Sequence, residues 1–489
     1  MSADAILIIV GIVFLVLMLI ETPIAYTLAG SGALGIVLLK TTGVATGAMA
    51  TVPFSAVNNY SLSVIPMYVL LGMLALHGHL ATRLYALASR MLGWLPGGLG
   101  VATVAACAGF AAISGSSIAT AATIGKLATA EMHKYGYPKA LAGGIVAAAG
   151  TLGVLIPPSV ILVMYSIMAQ ESIGQMLVAG IVPGVILAVA FAVYVVVRFR
   201  SGALTEQRPL IDELAVLAHS AGSVATLEYP NNVKRINVES GRVPIGSVGG
   251  GVNTTPDDRQ TASPDTTSWQ QVRAVLWIVV IFSVILGGIF TGLFTVIESA
   301  AIGAAVAMVM VFLEIGIRRG SGVFEKIQQA SLESVAVVGM AFAMLIGATL
   351  LTRFLVMAQV PVRLTNWISD LPVSPLLVVA LILLSLIPLG MFLESLSIIL
   401  VVVPLVAPIV VSLGFDPIWF GILFVMMVEL GLITPPVGMN VFVTSTTSKI
   451  PIETVFRGTI PFFFVALLVV AFFFFVPDVV LWLPELLTE

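Results

Sequence analysis

Serine, glycine and paired prolines interrupt two long apolar stretches of this sequence. The first stretch carries residues 114–117 (Ser-Gly-Ser-Ser) and then Pro157 and Pro158; the second carries residues 394–397 (Glu-Ser-Leu-Ser) and then a second proline pair. Proline lacks an N–H group and clashes with the preceding turn, so each pair should interrupt a helix. The free N–H groups that begin a half-helix favour a carboxylate, whereas unwound carbonyls and hydroxyls favour a hard cation such as Na⁺. These residue types predict a binding site for a small organic anion and Na⁺.

The two interrupted stretches are copies of one pattern. Residues 112–183 recur without a gap, at a constant offset of 278, as residues 390–461; the proline pair recurs as Pro435 and Pro436. In membrane transporters, interrupted segments at corresponding positions of two halves indicate the transport site. Glycine, serine and proline could instead serve only to allow close helix packing. The ungapped register of both motifs favours the transport site.

Two acidic residues lie within the second copy. Glu394 stands at the position of Ser116, and Glu429 at the position of Thr151. A carboxylate within a membrane segment is a functional candidate by default. Either residue could bind a cation or a proton, and either could be a structural acceptor for backbone N–H groups. The two halves therefore differ in chemistry.

The composition defines the elements that must position these residues. The chain of 489 residues is 59% hydrophobic and only 9% charged, with a mean hydropathy of +1.13. Soluble domains carry about a quarter charged residues, so a soluble fold is excluded. Apolar runs of the roughly 20 residues that span a bilayer recur along the chain. The sequence predicts an all-α polytopic membrane protein without a nucleic-acid partner; its first segment lacks a basic start and predicts a retained helix rather than a signal peptide.

The apolar runs form two blocks separated by a polar connector. We predict a first membrane repeat over residues 1–197, a partly disordered connector over 198–273 with eight basic and eight acidic residues, and a second repeat over 274–489. Both termini lack basic residues and are predicted to be periplasmic. The two repeats would then be inverted; residues 322–334 form either an interfacial amphipathic arm or a plain helix extension. The connector is predicted to be cytoplasmic because it is flanked by Arg198, Arg200 and Arg208 on one side and Arg273 on the other. The loop after the next two spans, with Arg318, Arg319 and Lys326, is predicted to be cytoplasmic as well.

The motifs GSSIATAATIG, GTLGVLIPPS and IVPG in the first block, with GMFLES, LGFDP and GLITPPVGMNVFV in the second, resemble the large membrane subunit of TRAP transporters, the DctM type. The resemblance covers nearly all of both blocks. It implies an elevator-type secondary transporter of the ion-transporter superfamily, with a scaffold and a mobile transport domain that contains two re-entrant hairpins and two discontinuous helices. It also implies import of a carboxylate with a Na⁺ gradient, a periplasmic substrate-binding protein and a small four-span membrane subunit.

The resemblance, carried over position by position, gives hairpin tips near residues 114–117 and 390–397 and broken helices near 150–159 and 434–440. The candidate substrate-binding residues are Ser114, Gly115, Ser116, Pro157, Pro158, Pro435, Pro436 and Asn440. The candidate Na⁺ ligands are Ser117, Gly150, Thr151, Gly153, Gly390, Glu394, Ser395, Ser397, Thr434 and Gly438. Two features depart from the family: it usually has Asp at the position of Glu394, and its connector is usually shorter. No four-span block precedes the first helix, so we expect the small subunit to be a separate chain.

Three alternatives remain at this stage. A stand-alone transporter of the same superfamily would couple an organic anion to Na⁺ or H⁺ without a binding protein. An intramembrane enzyme would need a catalytic dyad or a metal set, and no His, Asp and Glu cluster has such spacing, so no catalytic residue and no organic cofactor are expected. A purely structural membrane scaffold would bind no ligand.

Overall fold

The computed structural model describes residues 2–201, 268–316, 322–369 and 372–486. Most of the predicted connector (202–267) lies outside these ranges, as do Arg318 and Arg319. Within the described ranges the chain is helical and contains no strand. Eight of the described helices are long and apolar enough to cross a membrane, or nine if a bent pair counts as one span. The prediction of an all-α polytopic membrane protein is confirmed.

The chain begins with five helices that precede the first hairpin. Serine and threonine side chains cap two of them: the hydroxyls of Ser2 and Thr41 accept hydrogen bonds from the N–H groups of Ala5 and Val44. Such caps satisfy backbone donors that a helix start leaves free. A short 3₁₀ turn (Tyr60–Ser63) precedes α4, and α5 is amphipathic. The helices are α1 (Ala3–Leu19), α2 (Ile24–Leu39), α3 (Thr42–Val57), α4 (Val64–His77) and α5 (Leu80–Leu92).

The first hairpin and the first interrupted helix follow. The chain bends by 47° between the segments Lys139–Leu155 and Val160–Ala169, where the first proline pair lies. The hairpin consists of α6 (Gly98–Ser114) and α7 (Ser117–Lys134); the interrupted helix consists of α8 (Lys139–Gly150), α9 (Leu152–Leu155) and α10 (Val160–Ala169); α11 (Ile173–Ala179) and α12 (Ile181–Arg200) complete the first block.

The second block begins with four helices. The segment predicted at 322–334 is the start of a continuous 35-residue helix, α15. A π-helical turn (Phe312–Gly316) ends α14, and α16 is amphipathic like α5. The helices are α13 (Ser268–Phe290), α14 (Val296–Val311), α15 (Val323–Met357) and α16 (Val360–Ser369).

The second hairpin and interrupted helix complete the described chain. Several of their helices begin at or near the positions that the sequence repeat predicts: α7 and α18 both begin at a serine, and these two serines, Ser117 and Ser395, correspond in the repeat. The helices are α17 (Pro375–Phe392), α18 (Ser395–Ser412), α19 (Pro417–Gly431), α20 (Met439–Ser448), α21 (Ile452–Phe475) and α22 (Asp478–Glu485).

The interrupted helices and the hairpins of the two blocks pack across each other. Helix α10, which follows the first break, packs against α18 of the second hairpin, and α20, which follows the second break, packs against α7 of the first hairpin. Helix α8 packs along α21. Long α15 packs on α2 and α4, and α14 packs on α4. The hairpins and breaks of both blocks therefore share one interior.

A buried carboxylate joins three elements at one end of this assembly. Glu314, whose side chain is 1% exposed, forms ion pairs with Arg83 of α5 and with Arg273 of α13, the latter at 2.7 Å. The indole N–H of Trp277 donates to the same carboxylate over 3.2 Å. Because both arginines reach one carboxylate, the start of α5 and the start of α13 lie on the same side of the molecule.

Candidate functional site

The first hairpin turns at Gly115, where a network of hydroxyls closes the tip. The Ser114 and Thr120 hydroxyls lie 2.9 Å apart, and the Thr120 hydroxyl also donates to the Ser116 carbonyl over 2.8 Å. The Ser116 hydroxyl accepts the N–H of Ala119 and so caps α7. Gly115 adopts a positive φ of 59°, which favours glycine. The tip is thus fixed by its own hydrogen bonds.

The first break packs directly on this tip. A Cβ added to Gly115 would lie 2.7 Å from the Pro158 carbonyl oxygen, and one added to Gly153 would lie 2.5 Å from the Ser116 carbonyl oxygen. Two glycines therefore allow backbone carbonyls of the tip and of the break to come together. The residues of this break, 151–159, are all buried. The arrangement offers carbonyl and hydroxyl oxygens, which are the donors that a hard cation prefers.

The first interruption is narrower than the predicted range of 150–159. After a turn at Thr151, residues Leu152–Leu155 form a further helical turn, and the main interruption covers 156–159. The prolines explain the difference, because Pro157 and Pro158 lack the N–H groups that would continue the hydrogen-bond ladder, whereas the residues before them retain theirs. The N–H of Ile156 still donates to the carbonyl of Leu152.

The second hairpin and break meet through backbone contacts as well. A Cβ added to Gly390 would lie 2.7 Å from the Val428 carbonyl oxygen, and the N–H of Gly438 donates to the Met391 carbonyl over 3.3 Å. Glu394 precedes α18 at the N-cap position but makes no side-chain capping bond. The corresponding residue of the first half does cap its helix, so the tips differ. Both proline pairs contain a cis peptide bond.

The two breaks differ in exposure. Ser159 of the first break is 0% exposed. Pro435, Pro436 and Val437 of the second break are exposed, Val437 at 38%. Ser159 and Val437 correspond in the sequence repeat, so equivalent positions have opposite environments. In this conformation the first break is sealed inside protein and the second is open.

Several predicted site residues use their side chains for local structure. The hydroxyls of Thr151 and Thr434 each donate over 2.6 Å to a backbone carbonyl in the preceding turn. Ser397 lies just beyond the tip, and its hydroxyl donates to the sulfur of Met344 in α15. Gly150 packs on α7, where a Cβ would lie 2.9 Å from the side chain of Ala121. The structure therefore brings these residues beside the hairpins but not all of them into one cluster.

Asn440 lies in the first turn of α20 rather than in an unwound segment. It is fully buried, its N–H donates to the Leu432 carbonyl, and its side-chain amide has no hydrogen-bond partner among the described residues. Burying an amide without a partner costs free energy. A ligand that reaches this amide would offset that cost.

Two residues whose hydroxyls bond the first tip or the second break were not predicted from the sequence. Thr120 links both tip serines, and Thr459 of α21 donates over 3.2 Å to the carbonyl of Ile433 beside the second break. Thr120 lies about one helical turn after Ser116, which is a usable sequence signal. Thr459 lies in α21 and its acceptor in the turn after α19, 26 residues earlier in the chain, and no local pattern indicates that contact.

The helical, multi-pass fold with two interrupted helices against two hairpins is similar to that of a solved membrane protein. A solved structure with a similar fold is the YdaH transporter of Alcanivorax borkumensis, with a TM-score of 0.56 and 14% identity over 88% of each chain. The chain belongs to the tripartite ATP-independent periplasmic transporters as a DctM component, since that family matches residues 11–479.

The names of similar proteins agree with this family assignment. The chain is 33% identical to the C4-dicarboxylate TRAP transporter large permease protein DctM of Pseudomonas aeruginosa, over 93% of each chain. It is 30% identical to the isethionate TRAP transporter permease protein DctMQ of Oleidesulfovibrio alaskensis, over 88% of this chain and 59% of that one. It is 27% identical to the sialic acid TRAP transporter large permease protein SiaM of Vibrio cholerae, over 95% of each. The predictions of a TRAP large membrane subunit and of a protein without enzymatic activity are confirmed.

Proposed function

We propose that this chain is the permease through which a small organic acid enters a bacterial cell on a sodium gradient, with C4-dicarboxylates as the first candidates. The observation that carries the proposal is the meeting of each hairpin tip with an interrupted helix. At the first meeting, carbonyls of Ser116 and Pro158 face glycines that leave no room for a side chain. At the second, the Met391 carbonyl accepts the N–H of Gly438.

The proposed coupling ion is Na⁺ because most of the proposed ligands, Glu394 excepted, offer neutral oxygens. Ser117 and Ser395 begin the second helix of each hairpin and are buried. Together with the carbonyls of the breaks they form donor sets for a hard cation. Of the ligands proposed from the sequence, Thr151 and Thr434 would serve through lone pairs, because their hydroxyl hydrogens are engaged.

The proposed substrate site lies beside the exposed second break. Helix α20 begins there, and the positive end of a helix dipole favours a carboxylate. The buried Asn440 amide supplies donors without a present partner among the described residues. Relatives at 33% and 30% identity are named for C4-dicarboxylates, and others for isethionate and sialic acid, all of which are organic anions.

The proposed topology has two inverted repeats. Arg83 and Arg273 meet at Glu314, and the positive-inside tendency assigns that side to the cytoplasm. Asp4 and Arg363 form an ion pair of 2.6 Å between the start of α1 and α16, which we assign to the periplasm of a bacterial inner-membrane protein. The first hairpin would then enter from the cytoplasm and the second from the periplasm.

In an elevator mechanism, the hairpins and interrupted helices would move as a transport domain against a scaffold of α2, α4, α14 and α15.

The proposed partners are a small four-span membrane subunit and a periplasmic substrate-binding protein. The relative named DctMQ is a longer chain, of which this chain covers 59%. That length leaves room in the relative for a fused second component. The present chain would associate with such a component, and the binding protein would deliver the substrate.

Uptake into proteoliposomes tests the function. The full-length chain with its small subunit should accumulate labelled succinate or sialic acid only with an inward Na⁺ gradient and a binding protein. Ser117→Ala and Ser395→Ala should each raise the Na⁺ concentration needed for half-maximal uptake; unchanged Na⁺ dependence in both would contradict the site. Uptake without any binding protein would instead support the stand-alone transporter, and the absence of ligand-linked stabilisation would support a structural scaffold.

A further inference from the structure

One buried carboxylate touches the second hairpin at its first helical residue. Glu429 of α19 is 2% exposed, and its Oε1 accepts a hydrogen bond of 2.7 Å from the hydroxyl of Ser395. Ser395 is the first residue of α18, directly after the tip. A hydrogen bond within a low-dielectric interior is electrostatically stronger than one in water. Glu429 therefore holds this tip from the side of the interrupted helix.

The same carboxylate also neighbours the first hairpin. Glu429 lines one cavity with Thr151, and the neighbouring Gly150 packs on the Ser117 carbonyl, so that a Cβ there would lie 3.2 Å from this oxygen. The Ser117 hydroxyl lies near the carboxylate without a hydrogen bond to it, and Oε2 of the glutamate has no hydrogen-bond partner among the described residues. Ser117 is the first residue of α7, so it stands at the position that Ser395 holds in the other half. Two serines that correspond in the sequence repeat thus lie at one carboxylate, Ser395 bonded to it and Ser117 beside it.

The corresponding residue of the first half cannot make this link. Thr151 stands at the position of Glu429, and both line a narrow cavity of about 10 Å³. The Thr151 hydroxyl donates to the Ala148 carbonyl within its own chain segment. The longer glutamate side chain bonds a serine of the second hairpin, whereas the threonine hydroxyl bonds a carbonyl of its own segment. The departure from symmetry at this position places a carboxylate of the second half where the first half has a hydroxyl.

The geometry points to Glu429 as a positioning residue that links the two hairpin tips, so that a cation bound at one tip changes the affinity for a cation at the other. The link is chemical: a serine hydroxyl that ligates Na⁺ through its oxygen still donates its hydrogen, and the cation polarises that O–H group toward the carboxylate. Coupling of this kind is reciprocal between the sites. The inference rests on the proposed Na⁺ coupling.

A double-mutant cycle on Na⁺ binding tests the link. We would measure the Na⁺ concentration that gives half the maximal rise in melting temperature of the full-length protein, with choline chloride holding ionic strength constant. Wild type, Ser117→Ala, Ser395→Ala and the double variant form the first cycle. We expect the half-maximal Na⁺ concentration of the double variant to differ by at least about twofold from the value that the two single variants predict together. Coupled residues show departures from additivity of this size. In a Glu429→Thr background, which copies the residue of the first half, the same cycle should be additive.

Two controls separate this link from a merely structural role. Ser166→Ala and Thr444→Ala alter buried hydroxyls that also correspond in the sequence repeat, and their effects should be additive. Glu429→Gln keeps the length and an acceptor oxygen, so it should retain part of the coupling and provides a second background if the threonine variant does not fold. An additive first cycle, or unchanged coupling in Glu429→Thr, would overturn the inference while the Na⁺ response of wild type remained. No Na⁺ response in wild type would instead contradict the proposed function.

Discussion

Gly115 of the first hairpin tip lies against Pro158 of the first helix break, so closely that a side chain on Gly115 would meet the Pro158 carbonyl oxygen at 2.7 Å. The glycine is also in the left-handed region, with φ of 59°. The tip and the break belong to separate helical segments and depend on each other for their shape. A substitution at this contact should therefore alter cation binding at the proposed site.

Gly115→Ala should disable sodium-dependent uptake. A left-handed alanine costs about 1 kcal/mol or more, and its Cβ must displace the backbone of the break. We expect uptake to fall at least about tenfold, since about 1.4 kcal/mol corresponds to a factor of ten. Proteoliposome uptake measures the loss. Gly30→Ala is the matched control, because nothing lies within 4 Å of a Cβ at that position. Normal uptake by Gly115→Ala would contradict the contact.

Thr120→Val should weaken Na⁺ binding without unfolding the protein. The substitution keeps the shape but removes the hydroxyl that bonds Ser114 and the Ser116 carbonyl. Loss of such bonds costs about 1 kcal/mol each, which predicts a roughly fivefold or greater rise in the half-maximal Na⁺ concentration. The Na⁺-dependent rise in melting temperature measures it. Thr123→Val removes a hydroxyl that bonds the Ala119 carbonyl in the same helix and should leave Na⁺ binding near wild type; equal effects of both variants would argue against the network.

Cysteines at corresponding positions of the two breaks should react differently. Val437→Cys should react with a maleimide because Val437 is 38% exposed, whereas Ser159→Cys should stay unlabelled because Ser159 is fully buried. The single native cysteine, Cys107, is buried and gives little background. Mass spectrometry of the labelled protein provides the measurement, with wild type as control. Faster labelling of Ser159→Cys than of Val437→Cys would reverse the assignment of the sealed and open breaks.

Removing the Glu314 carboxylate should destabilise the protein. Glu314→Ala leaves Arg83 and Arg273 without this partner, and breaking a buried pair costs about 3 kcal/mol or more. The comparison variant is Glu333→Gln, which breaks the exposed pair with His77 and should cost no more than about 1 kcal/mol. Thermal unfolding in detergent distinguishes the two. Similar melting temperatures for both variants would mean that the buried cluster contributes little.

The positions of the helix breaks followed from the sequence because their cause is local. Pro157 and Pro158 lack donors wherever they stand, so a break at that point needs no knowledge of the fold. The extent of the break did not follow, since the turn Leu152–Leu155 remains helical despite the glycine within it. The predicted cation ligands were likewise chosen by residue type. Ser397 has the right type but bonds Met344 of α15, a partner in another helix.

Hydrophobic length and the missing N–H of proline act over short stretches of chain. Sequence alone was therefore enough to establish a helical multi-pass protein of the DctM family, with two serine-bearing turns and two proline breaks. Packing in three dimensions decided which break is sealed, which hydroxyls are already engaged, and that Ser395 hydrogen-bonds to Glu429. Those properties depend on contacts between segments that lie far apart along the chain. Apolar side chains cause the chain to insert into a membrane. They do not specify which of its few polar groups come into contact.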